Sequence, residues 1–246
     1  MKSPNRLREA RIASLDPPLP SIRSDRAARV AEMFGISCRL ADVKQPQSQT
    51  HPAVDLCALL PCPGQIVLIS GASGAGKSSL LRDLRRTALG SARWIDLMRL
   101  DMPNVPIVDC FKTLSLQRSL ALLSRVGLAE AWTYLRLPGE LSEGQRWRLK
   151  LAKALALATA PTKTGRRSIV VCDEFAAVLD RITALIVARC LRKMIDASGD
   201  SPAAPSAIVA SGHDDLIDAL APDMVISCDF SRIEISRPGS ASIGGS

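Results

Sequence analysis

The stretch Ile66–Leu84, IVLISGASGAGKSSLLRDL, decides how this chain folds. It opens with an apolar run that is short enough for a buried strand and is bounded upstream by Pro63-Gly64. Glycines at 71, 74 and 76 follow, letting a tight loop turn its backbone N–H groups inward. The apolar spacing then becomes helical and predicts a helix over Ser78–Thr87. Gly71-x4-Gly76-Lys77-Ser78 between strand and helix is the pattern of a phosphate-binding loop. Gly71, Ala72, Ser73, Gly74, Ala75, Gly76, Lys77, Ser78 and Ser79 are therefore the candidate nucleotide cradle. Lys77 is placed to reach β- and γ-phosphates, the Ser78 hydroxyl to ligate Mg²⁺, and the helix start adds its positive dipole end.

Working outward, short apolar runs recur at Arg93–Leu97, Pro106–Asp109, Ser168–Cys172, Ala207–Ser211 and Met224–Cys228. With Gln65–Ser70 they read as strands separated by helical patterns, which predicts an α/β fold with a mostly parallel sheet covered on both faces. Between Cys110 and Ala160 helical periodicity takes over, at Leu114–Val126, Ala129–Leu135 and Gln145–Thr159. The expected organisation is a basic, Pro-rich arm at 1–28, a main domain at 29–236 with a helical subdomain at about 110–160, and a Gly/Ser-rich tail at 237–246.

Composition narrows the class. The 246 residues are 47% apolar, yet no uninterrupted apolar run has membrane-spanning length, and the N-terminus carries Arg and Pro where a signal peptide would be apolar. The expectation is a cytoplasmic protein without membrane insertion of its own. Seven scattered cysteines without a CxxC pair read as small buried hydrophobes and not as a disulfide framework or zinc site. A net charge of +8 leaves room for an anionic partner such as nucleic acid.

Two more strands end in chemistry. SIVVCDEF closes on Asp173 and Glu174, and ligand sites of parallel sheets lie beyond the carboxyl ends of the strands. Asp173 is the candidate Mg²⁺ holder and Glu174 the candidate base that polarises the attacking water. AIVASG leads into His213, whose neutral imidazole is placed to sense a γ-phosphate. The stretch Ser142-Glu143-Gly144-Gln145 reads as a capping box opening a helix with Trp147, Leu151, Leu155 and Ala158 on one face. Capping explains Ser142 and Gln145. Gly144 is unexplained by it, and leaves the first turn bare for an anion.

These motifs, in this order, resemble the ATPase domain of the ABC family, a P-loop NTPase fold. Leu141-Ser142-Glu143-Gly144-Gln145 looks like that family's signature loop, Ala177-Val178-Leu179-Asp180 its D-loop and His213 its switch histidine. The resemblance implies Mg²⁺-dependent ATP hydrolysis with Glu174, His213 and Lys77 as catalytic residues. It also implies a head-to-tail homodimer formed on ATP, in which Ser142, Gly144 and Gln145 approach the partner's nucleotide and Asp180 couples the sites. Three departures stand out. Glu143 replaces a glycine of the signature loop, Asp109 stands where a coupling glutamine belongs with Gln117 too far downstream, and Phe34 is the only upstream aromatic for stacking adenine. The segments ELSEGQRWRLKLA and ASGHDDL also resemble bacterial ABC-type ATPases associated with acetyltransferase-like domains. The expected work is coupled to a partner protein or to nucleic acid. The alternative is the ATP-hydrolysing subunit of a membrane transporter.

Overall fold

In the computed structural model the described residues are 10–11, 21–22, 25–35, 39–40, 55–161, 165–199, 201–229 and 232–238. Most of the 1–28 arm and the 237–246 tail, together with Cys38 of the seven cysteines, therefore lie outside the described residues.

Three two-residue strands come first, β1 (Ala10–Arg11), β2 (Ser21–Ile22) and β3 (Arg39–Leu40), with helix α1 (Asp25–Met33) between the last two. The core then runs β4 (Ile66–Ser70), α2 (Lys77–Ala88), β5 (Ala92–Asp96), α3 (Leu116–Arg125), α4 (Ala131–Leu135), α5 (Glu143–Thr159) and β6 (Arg167–Cys172). It ends with α6 (Arg181–Asp196), β7 (Ser206–Ser211), α7 (Ile217–Leu220), β8 (Met224–Asp229) and β9 (Arg232–Ser236). The main sheet has the order β1-β9-β8-β4-β7-β6-β5; β5 to β8 and β4 pair in parallel, while β9 and β1 are antiparallel additions.

Strand β4 is buried at every position between β7 and β8. Its residues divide by parity: Ile66 and Leu68 join the core on the side of α5 and α6, and Val67 and Ile69 the core under α2. An unbroken apolar run is what a strand covered on both faces requires. The start of β4 is held as well. Asp223 Oδ2 accepts from the Ile66 N–H at 2.7 Å and from Arg192 Nη1 at 2.8 Å, and Arg192 Nη2 donates to the Gly64 carbonyl at 2.8 Å. Anchoring one end of the strand places the glycine loop at the other.

Helix α5 differs from its sequence reading. Instead of one apolar face it buries Trp147, Leu149, Leu151, Ala152, Ala154, Leu155, Ala156 and Ala158, so the helix is interior almost all round. Its cations run out to neighbouring carbonyls: Arg146 Nη2 to Leu141 (3.0 Å), Arg148 Nη1 to Gly127 (2.7 Å), Lys150 Nζ to Met98 (3.1 Å), and Lys153 to Cys110. Long stems cover apolar surface while the charged heads satisfy backbone acceptors at loop and helix ends. Arg93 reaches Leu157 O and Arg167 reaches Pro61 O in the same manner. Much of the basic character of the core is thus structural.

Two further expectations are corrected. Pro106–Asp109 is not a strand: Ile107–Phe111 forms a 3₁₀ turn with Ile107, Cys110 and Phe111 buried. The Ile107 N–H goes to Arg136 O at 2.9 Å, so this apolar run serves the helical subdomain and not the sheet. Nor are all the cysteines interior: Cys57 and Cys62 are exposed and Cys190 is partly so, whereas Cys110, Cys172 and Cys228 are buried. Burial pushes the thiol of Cys228 up to about 11, and that of Cys172 further still, with Asp173 adding to the effect. Both remain protonated near neutral pH.

Candidate functional site

Strand β4 delivers the chain into the glycine loop at Gly71, and packing dictates that residue. A Cβ there would lie 2.3 Å from the Cys228 carbonyl oxygen of β8, at a φ of +146°. Only glycine lets the loop leave the sheet so close to its neighbour. Helix α2 starts at Lys77 with Gly76 as its N-cap in the left-handed region, with no side chain capping it. The first-turn N–H groups are left for an anion. Lys77 folds back, donating to the Gly71 carbonyl at 2.6 Å and the Ala72 carbonyl at 2.8 Å.

Beyond the carboxyl ends of the central strands lies a cavity of about 440 Å³. Ser73, Gly74, Gly76, Lys77, Ser78 and Ser79 line it together with Asp173, Glu174 and His213. Three sequence motifs spread from Gly71 to His213 thus share one cavity. The order of the sheet explains how: β7 lies between β4 and β6, so His213, just past β7, sits between the glycine loop and the acidic pair. Ala75 is buried beneath the loop, and Gly71 and Ala72 supply the carbonyls that hold Lys77.

The acidic segment is strained. Glu174 and Ala176 both have left-handed backbone, with φ of +52° and +58°. Such residues cost on the order of 1–3 kcal/mol each and persist only where their surroundings fix them. Between them Phe175 is fixed on both sides. Its N–H donates to the Ala210 carbonyl of β7 at 2.7 Å, and its ring meets that of Trp147 edge to face, with centroids 5.3 Å apart. Asp173 Oδ1 accepts the Glu174 N–H at 3.1 Å.

The signature turn forms the expected capping box. Ser142 Oγ accepts from the Gln145 N–H at 3.2 Å, and Gln145 Oε1 from the Ser142 N–H at 3.1 Å. Ser142, Gly144 and Gln145 do not line the cavity of their own chain, and Glu143 is exposed in the first turn of α5. Gly144 also has a packing cause, because a Cβ there would lie 3.1 Å from Leu179 Cδ2. Asp180 caps α6 by accepting the Thr183 N–H at 3.0 Å, and that hydrogen bonding holds its carboxyl below the usual value.

The remaining departures fall elsewhere. Asp109 is exposed in the 3₁₀ turn, Gln117 is exposed on α3, and neither lines the cavity. Phe34 is 73% exposed and also outside it. Residues that sequence reasoning missed are Phe175, Ser211 and Gly212 of the cavity wall, and Ser70 and Asp214 behind it, while Ala177 of the D-loop stretch also lines the cavity. Ser70 carried a signal, as a polar residue closing an apolar strand needs a partner; it finds one in Asp214.

Comparison with known proteins agrees with this fold. The family model described as AAA ATPase domain matches residues 56–222. No curated protein matches. Among solved structures the chain is similar to the dimeric post-hydrolysis state of the ATP-binding cassette MJ0796 bound to ADP and Pi, with 18% identity, a TM-score of 0.53, and coverage of 72% of this chain and 88% of that one. It is also similar to cbiO1 from Clostridium perfringens, part of the ABC transporter complex cbiONQ, with 17% identity, a TM-score of 0.50, and coverage of 72% and 78%. A bacterial Atm1-family ABC exporter with ATP bound is matched at 20% identity and a TM-score of 0.50, over 71% of this chain and 34% of that one. No helix among the described residues is long and apolar enough to cross a membrane. The chain belongs to the AAA ATPase domain family and is an ATP-hydrolysing enzyme built on the fold of the ATP-binding cassettes.

Proposed function

We propose that the chain, with its ATPase domain at 29–236, hydrolyses ATP at two composite sites of a head-to-tail homodimer that forms on ATP binding and reopens after hydrolysis. One observation carries this reading: the signature turn opens a helix whose first-turn N–H groups beyond the one taken by Ser142 suit an anion, yet it lies outside the phosphate cavity of its own chain. A nucleotide that uses both must be held between two molecules, and the similar cassette MJ0796 is described as dimeric with ADP and Pi.

In this reading the loop from Gly71 to Ser79 holds the β- and γ-phosphates, and Lys77 exchanges its loop carbonyls for phosphate oxygens. Ser78 and Asp173 face the same cavity with a hydroxyl and a carboxylate, hard oxygen donors that fit Mg²⁺. When bound, the ion would neutralise charge on the phosphoryl oxygens. Glu174 orients the attacking water and takes its proton, while His213 contacts the γ-phosphate. From the second molecule Ser142, Gly144 and Gln145 close over the nucleotide, and Asp180 couples the two sites.

The work is coupled, in this proposal, to a partner protein. The cations of α5 are spent on carbonyls, which weakens the nucleic-acid reading, while Leu116, Trp132 and Leu135 on the helical subdomain are 64%, 78% and 65% exposed. Of the two kinds of partner, a protein surface can cover such apolar side chains and a phosphate backbone cannot. A transporter's membrane subunit is one such partner, and the cytoplasm is the expected compartment. The deciding experiment is Glu174→Gln with saturating ATP and Mg²⁺ on size exclusion with light scattering. The expected result is a trapped dimer; a variant that stays monomeric overturns the proposal. Lys77→Ala should abolish ATP binding, measured at equilibrium.

A further inference from the structure

We infer that Trp147 is a positioning residue for Glu174, acting through Phe175, and that this contact links the signature turn to the hydrolytic carboxylate of the same chain. The inference rests on Glu174 being the base. It begins with the backbone: two residues in left-handed conformation flank Phe175, and neither is glycine. Their geometry is held by what holds Phe175. From the sheet side that is the hydrogen bond to Ala210, and from the other side the buried ring of Trp147, set at 80° to the Phe175 ring.

Trp147 stands two residues beyond Gln145, on the helix whose start is the signature turn. The capping box makes the first turn and Trp147 one rigid piece. The same helix touches the acidic segment a second time, where Gly144 closes against Leu179. A displacement of the turn when it meets an anion is therefore delivered to residues 175–179 at two points. Asp109, at the place where a coupling residue was expected, is exposed on the 3₁₀ turn and outside the cavity. Helix α5 packs directly on the catalytic segment and supplies a shorter route.

The test uses Trp147→Phe, which keeps an aromatic ring for Phe175, and Trp147→Leu, which keeps an apolar side chain without one. Steady-state ATPase kinetics and equilibrium ATP binding are measured well below the melting midpoint of each protein. Trp147→Leu should lower kcat by about tenfold, the most an edge-to-face pair can supply, with ATP affinity within about twofold of wild type. Trp147→Phe should recover most of that loss. On a Glu174→Gln background Trp147→Leu should change the residual rate no further. An unchanged kcat in folded Trp147→Leu, equal loss in both Trp147 variants, or an equal loss of ATP affinity overturns the inference. Full activity of Glu174→Gln alone would instead remove Glu174 as the base, a separate failure.

Discussion

Ser70 Oγ donates a hydrogen bond of 2.5 Å to Asp214 Oδ1, joining the last residue before the glycine loop to the residue after His213. Ser70 is 7% exposed, so its hydroxyl has little access to water. Arg181, at the start of α6, pairs with the next residue, Asp215. The turn that presents His213 to the cavity is thereby tied on one side to β4 and on the other to α6.

Ser70→Ala should cost about 1 kcal/mol, because Asp214 is exposed and can take up water in place of the lost donor. For a domain of this size that is a fall in Tm of roughly 2–4 °C, read by calorimetry. Turnover should fall with little change in ATP affinity, since the altered contact lies behind His213 and not among the loop N–H groups.

Gly71→Ala should be among the most damaging single substitutions in the chain. The new Cβ meets a backbone oxygen of β8, which cannot rotate away, so loop or strand must shift. A loss of more than about 3 kcal/mol is expected, in the range of severe steric and backbone effects, and a urea melt measures it.

Arg192→Met should lower stability by roughly 2–3 kcal/mol, less than a fully buried ion pair, because the side chain of Asp223 is 36% exposed and can rehydrate. Asp196 and Asp223 hold the Arg192 guanidinium in its charged form against the opposing effect of burial. Asp223→Asn should show a smaller loss, as the amide oxygen can still accept from Ile66. Thermal melts of the two variants give the order.

The cap at Asp180 sets a sign for acid behaviour. Hydrogen bonding to Thr183 holds its carboxyl below the ordinary value of 3.8, so its contribution is fully present above that pH and is lost as pH falls through the depressed value. Between pH 5 and 8 the cap should be insensitive to pH. Asp180→Asn, which also caps well, should match wild type near neutrality and lose the acid dependence, whereas Asp180→Ala should melt lower throughout. Melting midpoints against pH give the comparison.

The local patterns of the chain were sufficient for its class. The run Ile66–Ser70 with Gly71, Gly76, Lys77 and Ser78 determined strand, loop and helix, because burial on both sheet faces and a helix start open to an anion each impose a short-range pattern of residue types. Asp173, Glu174 and His213 were legible for the same reason, as polar residues closing apolar strands. The Ser142–Gln145 cap was a local hydrogen-bonding matter, and the structure forms it as read.

What the tertiary structure decided is everything that depends on which distant segments meet. The run at Pro106–Asp109 is apolar enough for a strand, but the Ile107 N–H finds the Arg136 carbonyl of the helical subdomain and the Asp109 N–H closes back on Pro106, so it turns instead. Helix α5 looked one-sided until its neighbours showed that carbonyls on several sides could take its cations. The need for glycine at 71 lies in a backbone oxygen of Cys228, and the close fit at Gly144 in a methyl of Leu179, both far away in sequence. The strain at Glu174 and Ala176, and the aromatic contact from Trp147 that meets it, exist only once β7 and α5 close on the two sides of Phe175. Periodicity records whether a residue is buried; packing alone determines what it is buried against.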